Sequence, residues 1–264
     1  MDGDPGASIT IGLLGAGLTP AAADDTVPST TSTADLQKIL TAAAPGSTVQ
    51  LGAGVFSITK PLKVPANVTL AGVGTAQTTL QRAAGAWSAF SYGFVLMPAG
   101  DNVTISNLTV DGNRSSNTAP PTNSGGGIKL GNGWTVSNVR LTNLNYFKVW
   151  IHQVSGVTVR KSQFDALAGT SGNEDNIGGG RSANVTITGN TFDASTRGNA
   201  IDLLRSRDLT VTDNVLAAAP GLERNIYLEA VQGALVSGNT LTNGSITAKS
   251  DKSYSGTDAN TMPA

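Results

Sequence analysis

Cysteine is absent from the 264 residues and histidine occurs once, at His152. The first absence excludes a disulfide framework and any thiolate zinc site. The second excludes multi-histidine metal centres and any triad that needs a second imidazole. Charged residues make up only 13% of the chain, and a formal balance of −1 gives no general attraction to nucleic acid. No stretch reaches the roughly 18 consecutive apolar residues of a membrane span. What the chain does have is 32 glycines among many Asn, Ser and Thr, with aromatics at 5%. That composition suits an all-β fold rich in turns, and the length suits one domain.

A short phrase recurs along the chain: NVTLAGVG (67–74), NVTISNLTV (102–110), WTVSNVRLT (134–142), VTVRKSQF (157–164), NVTITGNTF (184–192), LTVTDNVL (209–216) and ALVSGNTL (234–241). Its starts, Val68, Val103, Trp134, Val157, Val185, Leu209 and Ala234, are 35, 31, 23, 28, 24 and 25 residues apart. A period in the twenties that varies by loop insertion marks a stack of coils, each too short to bury a core alone. The apolar residues alternate with strand period. Asn190, Asn214 and Asn239 share one offset within the repeat, with Asn107 and Asn138 one residue earlier, and these are expected to be turn asparagines whose amides bond along the stack. The sequons at Asn67, Asn102, Asn107 and Asn184 follow the same grammar, and no glycosylation is read from them.

Residues 1–31 lack the repeat. Ala7 to Ala23 has the look of a secretory apolar region with a small-residue cleavage site before Asp24, although the preceding MDGDPG carries two acids and no base. Gly3-Asp-Pro-Gly-Ala-Ser also reads as a fragment of a Gly-X-Y stem, and a plain strand or linker is the third option. DDTVPSTT (24–31) reads as a linker. Beyond it, Ser32 or Thr33 is placed to cap a helix whose Leu36, Ile39, Leu40 and Ala43 form one stripe, with Pro45-Gly46 as the stop. Such a helix covers an otherwise open sheet end.

The run LQKILTAAAPGSTVQLGAGVFSITKPLKVPANVTLAGVG resembles the entry sequence of pectate-lyase-like right-handed parallel β-helices, and LTVDGNR (108–114) resembles a phrase common in that superfamily. The resemblance runs from Ser32 to Lys249. It implies an all-β, single-stranded right-handed parallel β-helix over 32–250 with a short capping α-helix, and leaves 251–264 as a tail. The superfamily contains lyases, hydrolases, epimerases and viral tailspikes, so fold alone does not choose a function.

A second set of strands precedes each phrase: GIKLG (127–131), VWIHQ (149–153), NIGGG (176–180), AIDLL (200–204) and NIYLE (225–229). Aligning Ile128, Ile151, Ile177, Ile201 and Ile226 as an inward ladder turns Lys129, His152, Gly178, Asp202 and Tyr227 outward. Gly127, Trp150, Asn176, Ala200 and Asn225 then stand on the ladder's other side. Trp150 and Tyr227 offer aromatic faces to a sugar, and Asn176 and Asn225 offer hydrogen bonds. Gly178 leaves a gap of roughly 10 Å, two coil spacings, between His152 and Asp202. Arg181 and Arg205 are expected to stack beside this groove, where guanidinium groups suit uronate carboxylates. Glu174-Asp175 is a weak candidate for calcium, which wants six to eight oxygens; no cofactor is otherwise expected. The polar loop Arg114 to Gly126 is expected to border the groove.

Tyr146-Phe-Lys-Val-Trp-Ile-His152, one coil after DGNR, is similar in placement to the tyrosine and histidine segment of alginate lyases and mannuronan C5-epimerases. That resemblance implies C5-proton abstraction by one of the pair and proton donation by the other. Trp150 stands where the epimerase pattern has an Asp-Pro pair. The expected activity is therefore β-elimination on an extracellular, uronate-containing polysaccharide. Lys129 or an arginine neutralises the carboxylate, His152 or Tyr146 takes the proton, and Tyr227 or Tyr146 assists the leaving oxygen. A glycoside hydrolase using Asp202 with Glu174 or Asp175 is the enzymatic alternative. A tail spike or fibre that recognises or depolymerises host glycan is the other, and a purely structural adhesin the third class. No nucleic acid or membrane partner is expected. A secreted enzyme predicts a monomer and a viral spike a homotrimer.

Overall fold

A computed structural model describes residues 26–90, 93–117, 125–144, 146–166, 175–195, 198–218 and 225–249. Residues 1–25 and 251–264 lie outside these, as do Glu174 and the centre of the 114–126 loop, so the expectations for the signal-like segment, the stem and the tail fall there. α1 (Thr33–Ala42) starts where the cap residue predicts: the Ser32 hydroxyl accepts the Asp35 N–H at 3.1 Å. Its Leu36 and Leu40 are fully buried against the first coil. Val27 forms a parallel bridge with Leu51, so the expected linker (24–31) is docked on the stack at its middle.

The described strands form two parallel sheets, one of fourteen and one of eight strands. All seven repeat starts point inward and are buried, because alternation puts every second side chain on the core side. Burying each Val, Ile or Leu contributes about 1.5–3 kcal/mol, and stacking supplies the neighbours that one coil lacks.

The asparagine pattern resolves into two adjacent columns. Asn107 and Asn138 are exposed corner residues with φ of 54° and 53°, and the Asn138 amide donates to Asn107 Oδ1 at 2.8 Å. Asparagine is among the few non-glycine residues that tolerate this region. One position further, Asn190, Asn214 and Asn239 point inward. Asn190 Nδ2 donates to Asn214 Oδ1, and Asn214 Nδ2 to Asn239 Oδ1, both at 2.9 Å. Each amide also donates to a backbone carbonyl, and each Oδ1 accepts a backbone N–H of the preceding coil. The ladder is thus fully satisfied, as a buried polar network must be.

The inward apolar ladder of the eight-stranded sheet differs from the predicted one at one rung. Ile128 pairs with Val149, which pairs with Ile177, then Ile201 and Ile226. Ile151 is buried too, but it pairs with Gly179, two residues along. Val149 and Ile151 both point inward, so a slip of two residues keeps every side chain on its proper face and alternation cannot detect it.

Candidate functional site

This register decides which outward side chains meet. Across the coils, Lys129 pairs with Trp150, Trp150 with Gly178, Gly178 with Asp202 and Asp202 with Tyr227. Trp150 therefore occupies the rung expected for His152, and His152 lies in the next column, paired with Gly180. The residue paired with Asn176 on its N-terminal side is Lys148, since the pairs Val149–Ile177 and Trp150–Gly178 continue backwards by one.

The aromatic side chains converge around Trp150. The His152 ring stacks on it, with centroids 5.4 Å apart and planes 21° apart. Phe147 lies 4.4 Å and Tyr146 6.4 Å from the indole, and Tyr146 and Phe147 meet edge-on at 4.4 Å. Trp150, His152, Tyr146 and Lys129 are all half-buried, so each keeps an open side. The predicted gap at Gly178 is filled: a Cβ there would clash with the Phe147 ring. Gly126 makes room for Phe94 in the same way. Glycine in these strands thus seats an aromatic ring from a neighbouring coil, which the sequence reading missed.

Two predicted ligand-binding asparagines are internal. Asn176 and Asn225 are each 1% exposed. Asn176 Oδ1 accepts from Lys148 Nζ at 2.6 Å, and the same ammonium donates to the Asp165 carbonyl oxygen. Lys148 has outward parity but is fully buried, its ammonium held between the Asn176 amide oxygen and the Asp165 carbonyl. Asn225 packs against Gly244. Neither asparagine reaches a surface ligand.

Asp202 and Asp175 are joined through Asn199. Its amide donates to Asp175 Oδ1 at 3.2 Å and to Asp202 Oδ2 at 3.1 Å, and its backbone N–H gives Asp175 a second bond at 2.6 Å. Burial pushes the Asp175 carboxyl upward, against those bonds from Asn199. Tyr227 stands three coils from Trp150, roughly 14 Å along the stack. It is 8% exposed and donates to Glu229 at 2.8 Å, with Lys249 5.5 Å from its ring. It does not join the Trp150 group.

The titrating groups divide by sign. Burial, then the positive charges of Arg181 and Lys129, lower the His152 pKa below its ordinary value, which favours a neutral imidazole. Burial, then the Asp175 carboxylate, raise that of Tyr146 and keep its hydroxyl protonated. Arg181 and Arg205 are exposed and occupy equivalent left-handed corner positions, with φ of 56° and 47°. Arg181 lies near enough to act on His152. Among the described residues, no group of three or more His, Asp or Glu side chains is placed to hold a metal ion. Asp175, half of the suggested calcium pair, is itself 7% exposed. No described helix is long and apolar enough to cross a membrane.

The parallel coils and their internal amide ladder define a right-handed parallel β-helix. The chain belongs to the family described as right handed beta helix region, whose model matches residues 92–261. Among solved structures it is similar to a pectin methylesterase (10% identity, 89% of this chain and 95% of that one, TM-score 0.52). It is also similar to a mannuronan C-5 epimerase A-module of Azotobacter vinelandii (17% identity, 83% and 74%, TM-score 0.47). A third is ORF18 of Geobacillus virus E2 (11% identity, 85% and 59%, TM-score 0.47), so the chain spans about three fifths of that protein. At these identities the likeness is one of fold. No curated protein matches the sequence.

Proposed function

We propose that the Trp150 face binds an extracellular acidic polysaccharide and cleaves it by β-elimination at a uronate residue. The observation that carries this reading is a histidine held toward neutrality, stacked on an indole, under the field of two cations. A sugar ring seats on Trp150, and Lys129 and Arg181 neutralise its carboxylate, which acidifies the C5 proton. The imidazole of His152 takes that proton. The C5–H electrons become the C4=C5 double bond, the C4–O bond breaks, and the Tyr146 hydroxyl gives its proton to the departing oxygen. Positioned proton transfer of this kind contributes about 10²–10⁴-fold. Tyr227 takes no part, in keeping with its distance along the stack.

The test is the rise in absorbance at about 235 nm from the unsaturated product when the protein meets polyuronates, a readout set by the elimination chemistry. Its appearance with wild type and its loss in His152→Ala support the reading. Cleavage that yields reducing ends without that absorbance overturns it. The second result favours a hydrolase built on Asp175 and Asp202, a reading supported by the amide of Asn199 that holds the two carboxylates together.

A further inference from the structure

The pairing of Lys129 with Trp150 is repeated two coils earlier. Lys63 pairs with Met97, and because Leu96 pairs with Ile128, Met97 faces Lys129 on the next coil. One outward column therefore runs Lys63, Met97, Lys129, Trp150, a cation followed by a polarisable apolar side chain and then the same again. The two pairs are two coils apart, roughly 10 Å along the stack. Lys63 is exposed and Met97 and Lys129 are half-buried, so the column is open along its length. Its far end is also fixed. The Lys63 N–H donates to Gln37 Oε1 at 2.7 Å and the Lys63 carbonyl accepts from Gln37 Nε2 at 2.9 Å, which pins this edge strand to α1.

The acids on these coils are engaged elsewhere. Among the described residues before Trp150, Asp35 is paired with Lys38, Asp101 is bonded by Asn132 and Asp111 by Gln81. No carboxylate among the described residues pairs with the Lys63 or Lys129 ammonium. Beyond Trp150 the sign reverses. The Gly178 rung is filled by the Phe147 ring, Asp202 follows in the same column, and Glu229 stands one column over. A polyanion is thus drawn toward the N-terminal coils and turned away from the C-terminal ones. We infer that Met97 and Lys63 form a second uronate subsite, so that the bound chain runs from Trp150 toward the capping helix. One ring of an extended 1,4-linked polysaccharide is close in length to one coil spacing, and in a two-fold chain every second carboxylate faces the same side. The ring on Trp150 meets Lys129, the next turns its carboxylate to solvent, and the third lies on Met97 with its carboxylate at Lys63. The thioether is an adaptable platform, and an ammonium receives a carboxylate as a point charge without a fixed approach. The subsite makes the protein read chain length, favouring three acidic sugars over two. This inference rests on the polyuronate reading above, and because Lys63 is exposed, its contribution falls as salt rises.

The experiment measures binding by titration calorimetry on the full chain carrying His152→Ala, so that the ligand survives. The probes are the dimers and trimers of mannuronate and galacturonate, with neutral cellobiose and cellotriose. The expected result is that a triuronate binds about fivefold more tightly than its dimer, the scale of one exposed charge pair. Lys63→Gln should remove that gain and leave the dimer's affinity unchanged, and Lys63→Arg, which keeps the charge, should retain most of it. Met97→Ala should weaken the trimer alone. Circular dichroism of each variant checks the fold. If a triuronate binds no better than its dimer, or if Lys63→Gln and Met97→Ala both leave the gain intact, the subsite is refuted while the polyuronate reading stands. If cellotriose gains as much over cellobiose, the third carboxylate is not read and the inference is wrong. If no uronate binds, the underlying reading fails and this one with it.

Discussion

The same coils present two outward faces of opposite character. On the fourteen-stranded sheet one column reads Thr48, Thr69, Thr104, Thr135, Thr158, Thr186 and Thr210, one residue type across seven coils, until Leu235. On the eight-stranded sheet the corresponding column reads Lys63, Met97, Lys129, Trp150, Gly178, Asp202, Tyr227 and Thr247, no two neighbours alike. Uniformity is what stacking asks for, since a β-branched residue packs well on its own copy above and below. The second face departs from that economy at every rung. The contrast marks where chemistry overrides architecture, and it yields experiments that separate the two.

The largest effect belongs to the core beneath both faces. Ile177→Asp places an unpaired carboxylate inside the stack and is expected to cost more than about 4 kcal/mol, removing the cooperative thermal transition. A soluble variant with the wild-type melting curve would refute the inward ladder. Next comes the irregular face, where His152→Ala is expected to lower turnover by at least about 10²-fold with little change in melting temperature. Thr158→Ala on the regular face should leave turnover as it is. Equal loss in both variants would end the distinction between them.

Asn214→Ala tests the internal ladder. It strips Asn190 of the acceptor for both its backbone N–H and its amide. Leaving such groups unsatisfied costs about 1–3 kcal/mol each, so chemical denaturation should show a clear loss of stability. A smaller shift is expected in the pH profile. With the His152 pKa lowered, activity that needs the neutral base should rise with pH and reach half its plateau below the ordinary histidine value. Arg181→Gln removes a positive charge that disfavours the imidazolium, so this limb should move to higher pH. A limb that stays in place or moves lower would exclude Arg181 from the field at His152. The smallest effect is Thr186→Ser, expected within about 0.5 kcal/mol of wild type in the same unfolding assay.

The coil stack, the Ser32-capped helix and the inward face of nearly every strand were legible in the sequence, because period and capping chemistry are local signals. The site was legible only as a neighbourhood. Tyr146, Trp150, His152 and Lys129 do gather, but in a register two residues from the expected one, since Val149 and Ile151 serve equally well as inward residues. Burial of Lys148, Asn176 and Asn225 was hidden, because their parity along the strand is outward and only the fold brings Lys148 against Asn176 and Asn225 against Gly244. Phe147 over Gly178 was hidden too. A glycine opposite an aromatic on the next coil is a usable signal once the register is known. Asn199 carries no motif, and only the fold brings it between two carboxylates.

The strand bearing Trp150 and His152 has three strands on one side of it in its sheet and four on the other. In a stack where each coil is held chiefly by its two neighbours, opening spreads inward from the ends. Amide protons of Val149–His152 should therefore be among the slowest in the chain to exchange with deuterium, and those of Leu62–Val64 and Ile246–Lys249 among the faster. The side chains that must hold the finest geometry are carried by the turn of the molecule that has longest to wait before it lets go.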